Sequence, residues 1–430
     1  MFCFSLPLKS SCRETRTLLE SEGYLGNRGI RTLFQIDYQT GKSTHSHSSN
    51  KSEREILLVP GTKFQVIDQQ ILSKDFYMIH LKEIFIRKEI LEDFVHKNQT
   101  KDQIHFVEQN LTIANIDFIT NELYSNAHWK KILFSKSNFT EDAIKLFMYS
   151  LKANCYIDSL DFTFNEFNPK ISSIIARSLR IHTNLKHLDL SNNQLTELDA
   201  QAFGSMLTTN KTLETIHFSS NPLGDHGMLF ISRSLQFNQT LKSLYLNQIQ
   251  LTNKYTIEIS HYLQQSTSLE RLYLNENNLD DENIHIICQA LSANKQIKYL
   301  HLANNRITHD CAKDFAMILQ ESTSSLVELD LSKNPLGDTG VQLIVQSLTK
   351  NMVLTNLYLD AIEMTNASLD ELIQMIRVNK TMKMISLKNN SINQDDIHSL
   401  LNEMKCNQTL EYLYFNDENT ITRETEFTRI

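Results

Sequence analysis

The last three quarters of this chain predict an α/β solenoid, with parallel strands on a concave side and helices on a convex side. A smaller α+β segment precedes it. Three observations carry that prediction. First, the phrase L-x-x-L-x-L-x-x-N-x-L returns as LKHLDLSNNQL from Leu185, LERLYLNENNL from Leu269 and LVELDLSKNPL from Leu326. Looser copies start at Trp129, Ile157, Leu213, Leu241, Ile297, Leu354, Met382 and Leu410. Second, every step between copies is 28 residues, except one of 29 from Ile297 to Leu326. Third, each copy changes its hydrophobic period midway, from alternation to helical spacing. One such unit cannot bury its own apolar face, whereas stacked units share a continuous core.

The first hundred residues lack the phrase and are rich in strand-like runs instead. These are TLFQIDYQ (32–39), EILLVP (55–60), KFQVIDQQ (63–70) and DFYMIHLKEI (75–84). A polar loop, TGKSTHSHSSNKS (40–52), separates the first two, and Pro60-Gly61-Thr62 makes a turn after the second. Glu53 and Glu55 flank Arg54. Carboxylates two apart at the start of a strand project to the same side. They either form a pocket of two acids or an ordinary solvated charge cluster.

The wider phrase SEREILLVPGTKFQVIDQQILSKDFYMIHLKEI (52–84) resembles the C-terminal part of arginine-specific mono-ADP-ribosyltransferases. There the strand carrying E-x-E reads E-x-E-I-L-x-x-P-G-T-x-F, followed by a strand ending I-x-L-x-x-I. The resemblance covers roughly residues 4–95 and gives a domain boundary at 1–95. It implies that NAD, or NADP, is the co-substrate. It implies that Glu55 is the catalytic carboxylate, stabilising positive charge as nicotinamide leaves. It implies that Glu53 orients an acceptor guanidinium, which a carboxylate can hold through paired hydrogen bonds. The Ser-Thr-Ser strand of that family aligns with Leu8, Lys9 and Ser10, so Ser10 alone is left as a cofactor-binding hydroxyl. The family's early strand, with its NAD-binding Arg, would lie before Met1. The expectation is therefore an N-terminally truncated, incomplete transferase fold. Half a domain buries little core, so the chain is either a fragment of an active enzyme or carries an inactive relic.

From residue 101 to 430 the repeats follow in order. A degenerate copy is placed at Lys101 by Ile104, Phe106 and Leu111, giving eleven or twelve repeats. In each, the L-x-L core is a strand: Leu188 and Leu190 point inward, His187 and Asp189 outward. The second half is helical, with Leu229, Ile231 and Leu235 on one inward face and Val341, Ile344, Val345 and Leu348 on another. A helix is wider than a strand, so the stack curves. The 28–29 residue period with a full helix resembles the ribonuclease-inhibitor type of leucine-rich repeat, a horseshoe. Asn165, Asn193, Asn221, Asn277, Asn305, Asn334 and Asn390 share one repeat position, where a carboxamide can satisfy backbone groups of the turn. Ile249 and Ile362 interrupt that column, and slightly irregular turns are expected there.

Composition narrows the function classes. A net charge of −8 argues against a general nucleic-acid binder. No run of 18 apolar residues is present, so no transmembrane helix is expected, and MFCFSLPLKSSC is too short in its apolar part for a signal peptide. The cysteines, Cys3, Cys12, Cys155, Cys288, Cys311 and Cys406, show no metal-ligand spacing. They read as free thiols in a reducing, cytoplasmic compartment. His45 and His47 have no further ligands at useful spacing, so no metal site is predicted. Sequons occur at Asn98, Asn110, Asn138, Asn210, Asn238, Asn366, Asn379, Asn389 and Asn407. Four of these, Asn210, Asn238, Asn379 and Asn407, stand three residues before a strand-opening Leu or Met, so the repeat itself generates them.

The outward residue between the strand leucines reads Leu133, Asp161, Asp189, His217, Tyr245, Tyr273, His301, Asp330, Tyr358, Ser386, Tyr414. Strands about 4.8 Å apart make Tyr245 and Tyr273 neighbours, with Arg271, Tyr299 and His301 alongside. Tyr and Arg clusters are typical interface anchors, although Tyr also simply suits strands. Asp161 and Asp189 form an acidic flank able to take Lys or Arg. A protein partner suits so long a surface. Two functions thus stand side by side: an NAD-dependent protein-arginine ADP-ribosyltransferase whose repeats select the substrate, or a non-catalytic repeat scaffold.

Overall fold

The structure, a computed structural model, describes residues 100–415 apart from 101, 108, 126–127, 182–183, 253–255 and 322–323. It also describes the backbone of the strands within residues 4–83 and of Thr420–Thr422. The chain divides into two compact units, Met1–Lys97 with Thr112–Phe118, and Asn98–Leu111 with Ile119–Ile430.

In the first unit a four-stranded sheet has the order Phe4–Ser5, Lys63–Ser73, Phe76–Glu83, Arg31–Asp37. A second sheet has the order Ser11–Arg13, Glu55–Leu57, Lys42–Ser43. Of the strand expected over 55–60, Glu55–Leu57 is a strand and the remainder lies outside the described residues. Lys42 and Ser43, expected in a loop, pair antiparallel with Leu57 and Ile56, which satisfies backbone groups of that short strand.

In the second unit twelve three-residue strands stack parallel and in register, from Gln103–His105 through Tyr412–Tyr414. The degenerate copy at Lys101 supplies the first of them. Thr420–Thr422 pairs antiparallel with the last strand. This is an α/β repeat architecture with parallel strands in an open sheet. The middle residue of each strand is buried, as are the apolar residues flanking the strand, such as Leu185, Leu188, Leu190 and Leu195. In the first three repeats the residue after the strand is Phe, and Phe106, Phe134 and Phe162 stack at 5.3 and 5.7 Å. Each ring substitutes for a leucine and fills the same inward column.

The helices begin where capping chemistry allows. Thr140, Asn168, Asp280 and Asn393 accept first-turn N–H groups with their side chains. Val341, Ile344, Val345 and Leu348 are buried as expected. In Gly224–Leu235 the buried face is Met228, Ile231 and Leu235, and Leu229 is only half-buried. Met228 and Ile231 are three apart, on one helical stripe with Leu235, whereas Leu229 is rotated off it. The extra residue of the 29-residue step falls between Leu319 and Leu326, since the cap bond of Asn351 reaches back 32 residues to the Leu319 carbonyl where Asn294 reaches back 31 to Leu263.

The Asn column forms a continuous ladder. Asn193 Nδ2 donates to the Phe162 carbonyl of the preceding repeat (2.7 Å) and to its own Leu190 carbonyl (3.0 Å). Its Oδ1 accepts from Asn165 N (2.9 Å). Ile249 and Ile362 offer no such acceptor, yet their own turns keep the ordinary form, with Gln248 and Gln250, and Ala361 and Glu363, at positive φ like Asn192 and Gln194; the irregularity expected there falls instead on the turn of the preceding repeat. Gly224 and Gly337, at φ 60° and 58°, donate instead to the Ile249 and Ile362 carbonyls (2.9 Å each). Both lie in an Asn-Pro-Leu-Gly turn, where glycine tolerates the left-handed conformation.

A second Asn ladder, just after the helix C-termini, was not foreseen. Asn210, Asn238, Asn379 and Asn407 are buried, and each Nδ2 donates to a carbonyl of the preceding helix. Their Oδ1 atoms accept N–H groups entering the next strand. These are the repeat-generated sequons, and their carboxamides are committed to the stack.

Candidate interaction surface

Because the strands pair in register, the third residue of each strand lies beside the third residue of the next, 28 residues on, or 29 from His301 to Asp330. Between Asp189 and Tyr358 this brings unlike side chains into one column on the sheet face. His217 and Tyr245 stack at 3.7 Å with planes 9° apart. Tyr245 and Tyr273 stack at 4.1 Å and 6°. Tyr273 meets His301 at 4.4 Å, and His301 meets Tyr358 at 6.2 Å. The spacing follows from the strands: flat rings standing on neighbouring strands fall close to van der Waals distance.

In the adjacent column the Arg271 guanidinium lies 4.6 Å over the Tyr299 ring, a cation–π contact. The five predicted partner-binding residues are therefore arranged as Tyr245, Tyr273 and His301 in one column, with Arg271 and Tyr299 beside it. His217 and Tyr358 extend that ladder at its ends. Both stand in the outward series of the sequence, but neither was singled out; their register positions could have added them.

His301 is pinned within the ladder. Its Nε2 donates to Glu328 Oε1 (2.9 Å) and its Nδ1 lies 3.4 Å from Asp330 Oδ2. Burial works to lower its pKa, but the two carboxylates outweigh that and push it up to about 9. The hydrogen bond from His301 holds Glu328 below the usual carboxylate range. Burial would raise Asp330, yet hydrogen bonds from His301 and Ser332 hold it below that range too. Burial and the neighbouring carboxylates push Tyr358 up to about 12, and burial with the Tyr245 phenol raises Tyr273. His217, at the other end, is lowered by burial against the pull of Asp189 and Asp161.

In the row just before the strands, charges alternate as Lys186, Glu214, Lys242, Glu270 and Lys298. Lys242 Nζ donates to Glu214 (2.8 Å), and Lys298 lies 3.3 Å from Glu270. Neighbouring lysines satisfy these carboxylates.

Of the residues expected to form an NAD site, Glu53 and Ser10 lie outside the described residues. Glu55 opens the strand Glu55–Leu57, with Arg13 as its Cα partner, and its side chain lies outside what is described. His45 and His47 also lie outside. Among the described residues no group of His, Cys, Asp and Glu could hold a metal ion, and no helix is long and apolar enough to cross a membrane.

Family models described as Leucine Rich repeat match residues 209–232 and 324–345, and one described as Leucine Rich Repeat matches 184–206. The chain carries leucine-rich repeats. Ribonuclease inhibitor of Mus musculus is 34% identical over 92 residues, covering 21% of this chain and 20% of the inhibitor. Ribonuclease inhibitor of Sus scrofa is 29% identical over 100 residues, covering 23% and 22%. NACHT, LRR and PYD domains-containing protein 3 of Mus musculus is 30% identical over 105 residues, covering 24% of this chain and 10% of that protein. The chain thus spans about a fifth or less of each relative's length. These matches are to repeat proteins and give no support to the transferase resemblance of residues 1–95.

Proposed function

We propose that the protein is a partner-binding leucine-rich repeat protein, whose sheet face holds another protein with the ring ladder His217–Tyr245–Tyr273–His301–Tyr358 as its anchor. The ladder itself carries this reading. Stacked rings are fixed before any partner arrives, so their ordering costs little on binding. Their edges and hydroxyls offer broad, amphipathic contact of the kind that dominates binding energy at interfaces. In a repeat stack the inward residues are dictated by packing, but the outward ones are free to serve recognition. The four described cysteines, Cys155, Cys288, Cys311 and Cys406, are unpaired, which fits a reducing, cytoplasmic setting.

The test is to identify the partner by photo-crosslinking from Asn275, beside the ladder, and then measure its affinity for the full chain. Tyr245→Ala with Tyr273→Ala is expected to weaken binding by about 2 kcal/mol or more, roughly thirtyfold. Unchanged affinity in that variant overturns the proposal.

A second reading rests on the phrase at 52–84. In it, NAD is the co-substrate, Glu55 stabilises the leaving-group step, Glu53 orients a protein arginine, and Ser10 contacts NAD. In the sequence, Leu8 and Lys9 stand where hydroxyl donors would be needed, and a leucine cannot donate a hydrogen bond. Transfer of ADP-ribose to an arginine substrate, lost in Glu55→Gln and retained in Tyr245→Ala with Tyr273→Ala, supports it. Absence of NAD turnover by the full chain removes it.

A further inference from the structure

We infer that the step at the end of the ring ladder, where His217 gives way to Asp189 and Asp161, receives an arginine side chain of the bound partner, and that His217 gates this contact with pH. The inference deepens the partner-binding reading above and rests on it.

Asp161, Asp189, His217 and Tyr245 are register neighbours on successive strands. Going down this column, a stacked ring is followed by two short side chains, so the face drops by the depth of a ring. One face of His217 is covered by Tyr245 at 3.7 Å. The other looks along the sheet toward Asp189. The floor of the step is two carboxylates about 4.8 Å apart. Their orientation is fixed, because Asp161 Oδ1 accepts from Thr163 N (3.0 Å) and Asp189 Oδ1 from Ser191 N (2.9 Å).

What sets this pair apart is charge. Elsewhere on the face, Glu214 has Lys242, Glu270 has Lys298, and Glu328 and Asp330 share His301. Among the described residues, no Lys or Arg lies within ion-pair distance of Asp161 or Asp189, and Asp189 Oδ2 has only His217 Nδ1 at 3.8 Å. A guanidinium is planar, and at the edge of His217 its fork can donate to both carboxylates at once. A lysine ammonium would satisfy the charge but not the paired geometry.

The gate follows from what surrounds His217. Tyr245 covers one side; Asp189 and Asp161 favour its protonation, while His187 and Lys131 oppose it. Burial dominates and holds the imidazole neutral at neutral pH. On acidification His217 takes a proton, pairs with Asp189 at 3.8 Å, and competes with the guanidinium for that carboxylate. Partner arginine binding is therefore strong when His217 is neutral and weakens as it becomes charged.

The experiment uses a fluorescent hexa-arginine peptide, with hexa-lysine and hexa-citrulline as comparators, titrated onto the full chain by polarisation at about pH 7.5 and about pH 5.5. The expected results are tighter binding of arginine than lysine, and a loss of about tenfold or more in Asp161→Asn with Asp189→Asn. Asn keeps the Oδ1 acceptor, so the turns are retained. The charge-matched pair Glu141→Gln with Asp142→Asn, on the helix Glu141–Ala153, is expected to change nothing. Arginine binding should weaken several-fold at the lower pH, and His217→Asn should abolish that dependence. Equal losses in both charge-matched variants would mean general attraction to a chain of net charge −8, and would overturn the arginine site. So would no arginine binding at all. A pH dependence surviving in His217→Asn overturns the gate. If the crosslinked partner still binds the Asp161→Asn, Asp189→Asn chain with full affinity, the arginine site fails while the ladder stands. If it ignores Tyr245→Ala with Tyr273→Ala, the ladder fails.

Discussion

Replacing His301 with Gln should destabilise the solenoid by an amount that vanishes as pH rises. His301 is only 14% exposed and shares its proton with Glu328 and Asp330. Its pKa is raised from 6.5 to about 9. A folded-state pKa above the unfolded one means that folding takes up protons. The associated stability is fully present below about 6.5, falls through the window from 6.5 to 9, and is gone above it. The rise corresponds to about 3 kcal/mol at its fullest, and about 2 kcal/mol at pH 7.5. The carboxylates act in the opposite sense: both are lowered, so their share is present above their ordinary values of 4.5 and 3.8 and is lost as pH falls through their folded-state values. These shifts describe the same contacts from both partners and do not add. Urea unfolding of the chain and of His301→Gln, followed by far-UV dichroism at pH 5.5, 7.5 and 9.5, should show a gap that shrinks from about 3 kcal/mol to near zero. Titrations elsewhere cancel in the difference. A gap that stays constant from pH 6 to 9.5 would mean His301 is uncharged in the fold, and the argument for the clamp would be wrong.

Three further outcomes follow from the stack. Asn193→Ala leaves the Phe162 and Leu190 carbonyls and Asn165 N without their side-chain partner, and should cost about 2–3 kcal/mol in chemical denaturation; a cost under half that would show water replacing the amide. Gly224→Ala, at φ 60° with open space around the new Cβ, should cost only about 1 kcal/mol. Gly204→Ala, whose Cβ would come 2.8 Å from Ser234 Oγ and 3.0 Å from the Phe230 carbonyl, should cost more, and the reverse order of melting temperatures would refute this. Chain passed through a secretory pathway and recovered folded should carry no glycan at Asn210, Asn238, Asn379 or Asn407, and glycopeptide mass spectrometry finding one there would contradict the buried ladder.

The repeat architecture was legible because packing repeats its demand every 28 residues. Leu188 answers the same need as Ile216 and Leu244, so the strand register could be read from spacing alone. The turn irregularity was readable only in part: a missing acceptor at Ile249 must be replaced by some other backbone contact, but the change falls one repeat earlier, at Gly224, and not at Ile249 itself. The cap ladder of Asn210 and Asn238 was visible as a period, and the sequons were rightly read as its by-product, but the task of the amide was not seen. Its role depends on a carbonyl 31 residues upstream, which no local pattern reveals. Leu229 was misplaced because Met228 carries no stronger apolar signal than its neighbour, and only helix rotation separates them. The His301 clamp was illegible for another reason. Asp330 follows His301 in the outward column and was read so, but Glu328 belongs to a different column, and only its side-chain conformation brings the carboxylate to the ring.

Register makes a continuous surface of the outward column. A leucine facing inward is required by its neighbours on either side, so its identity carries information about folding alone. Tyr245 has no such obligation: its ring meets solvent on one edge and rings on both faces. Four consecutive outward positions are instead His, Tyr, Tyr and His, half-buried against one another. A serine stands at Ser386 in the same column with the sheet intact, so the sheet itself does not require rings there. At His301 the carboxylates of Glu328 and Asp330 more than offset burial, so that residue also serves the fold. The tyrosines between do not, and rings that the sheet does not require, set in one continuous ladder, are what supports the proposal of a bound partner.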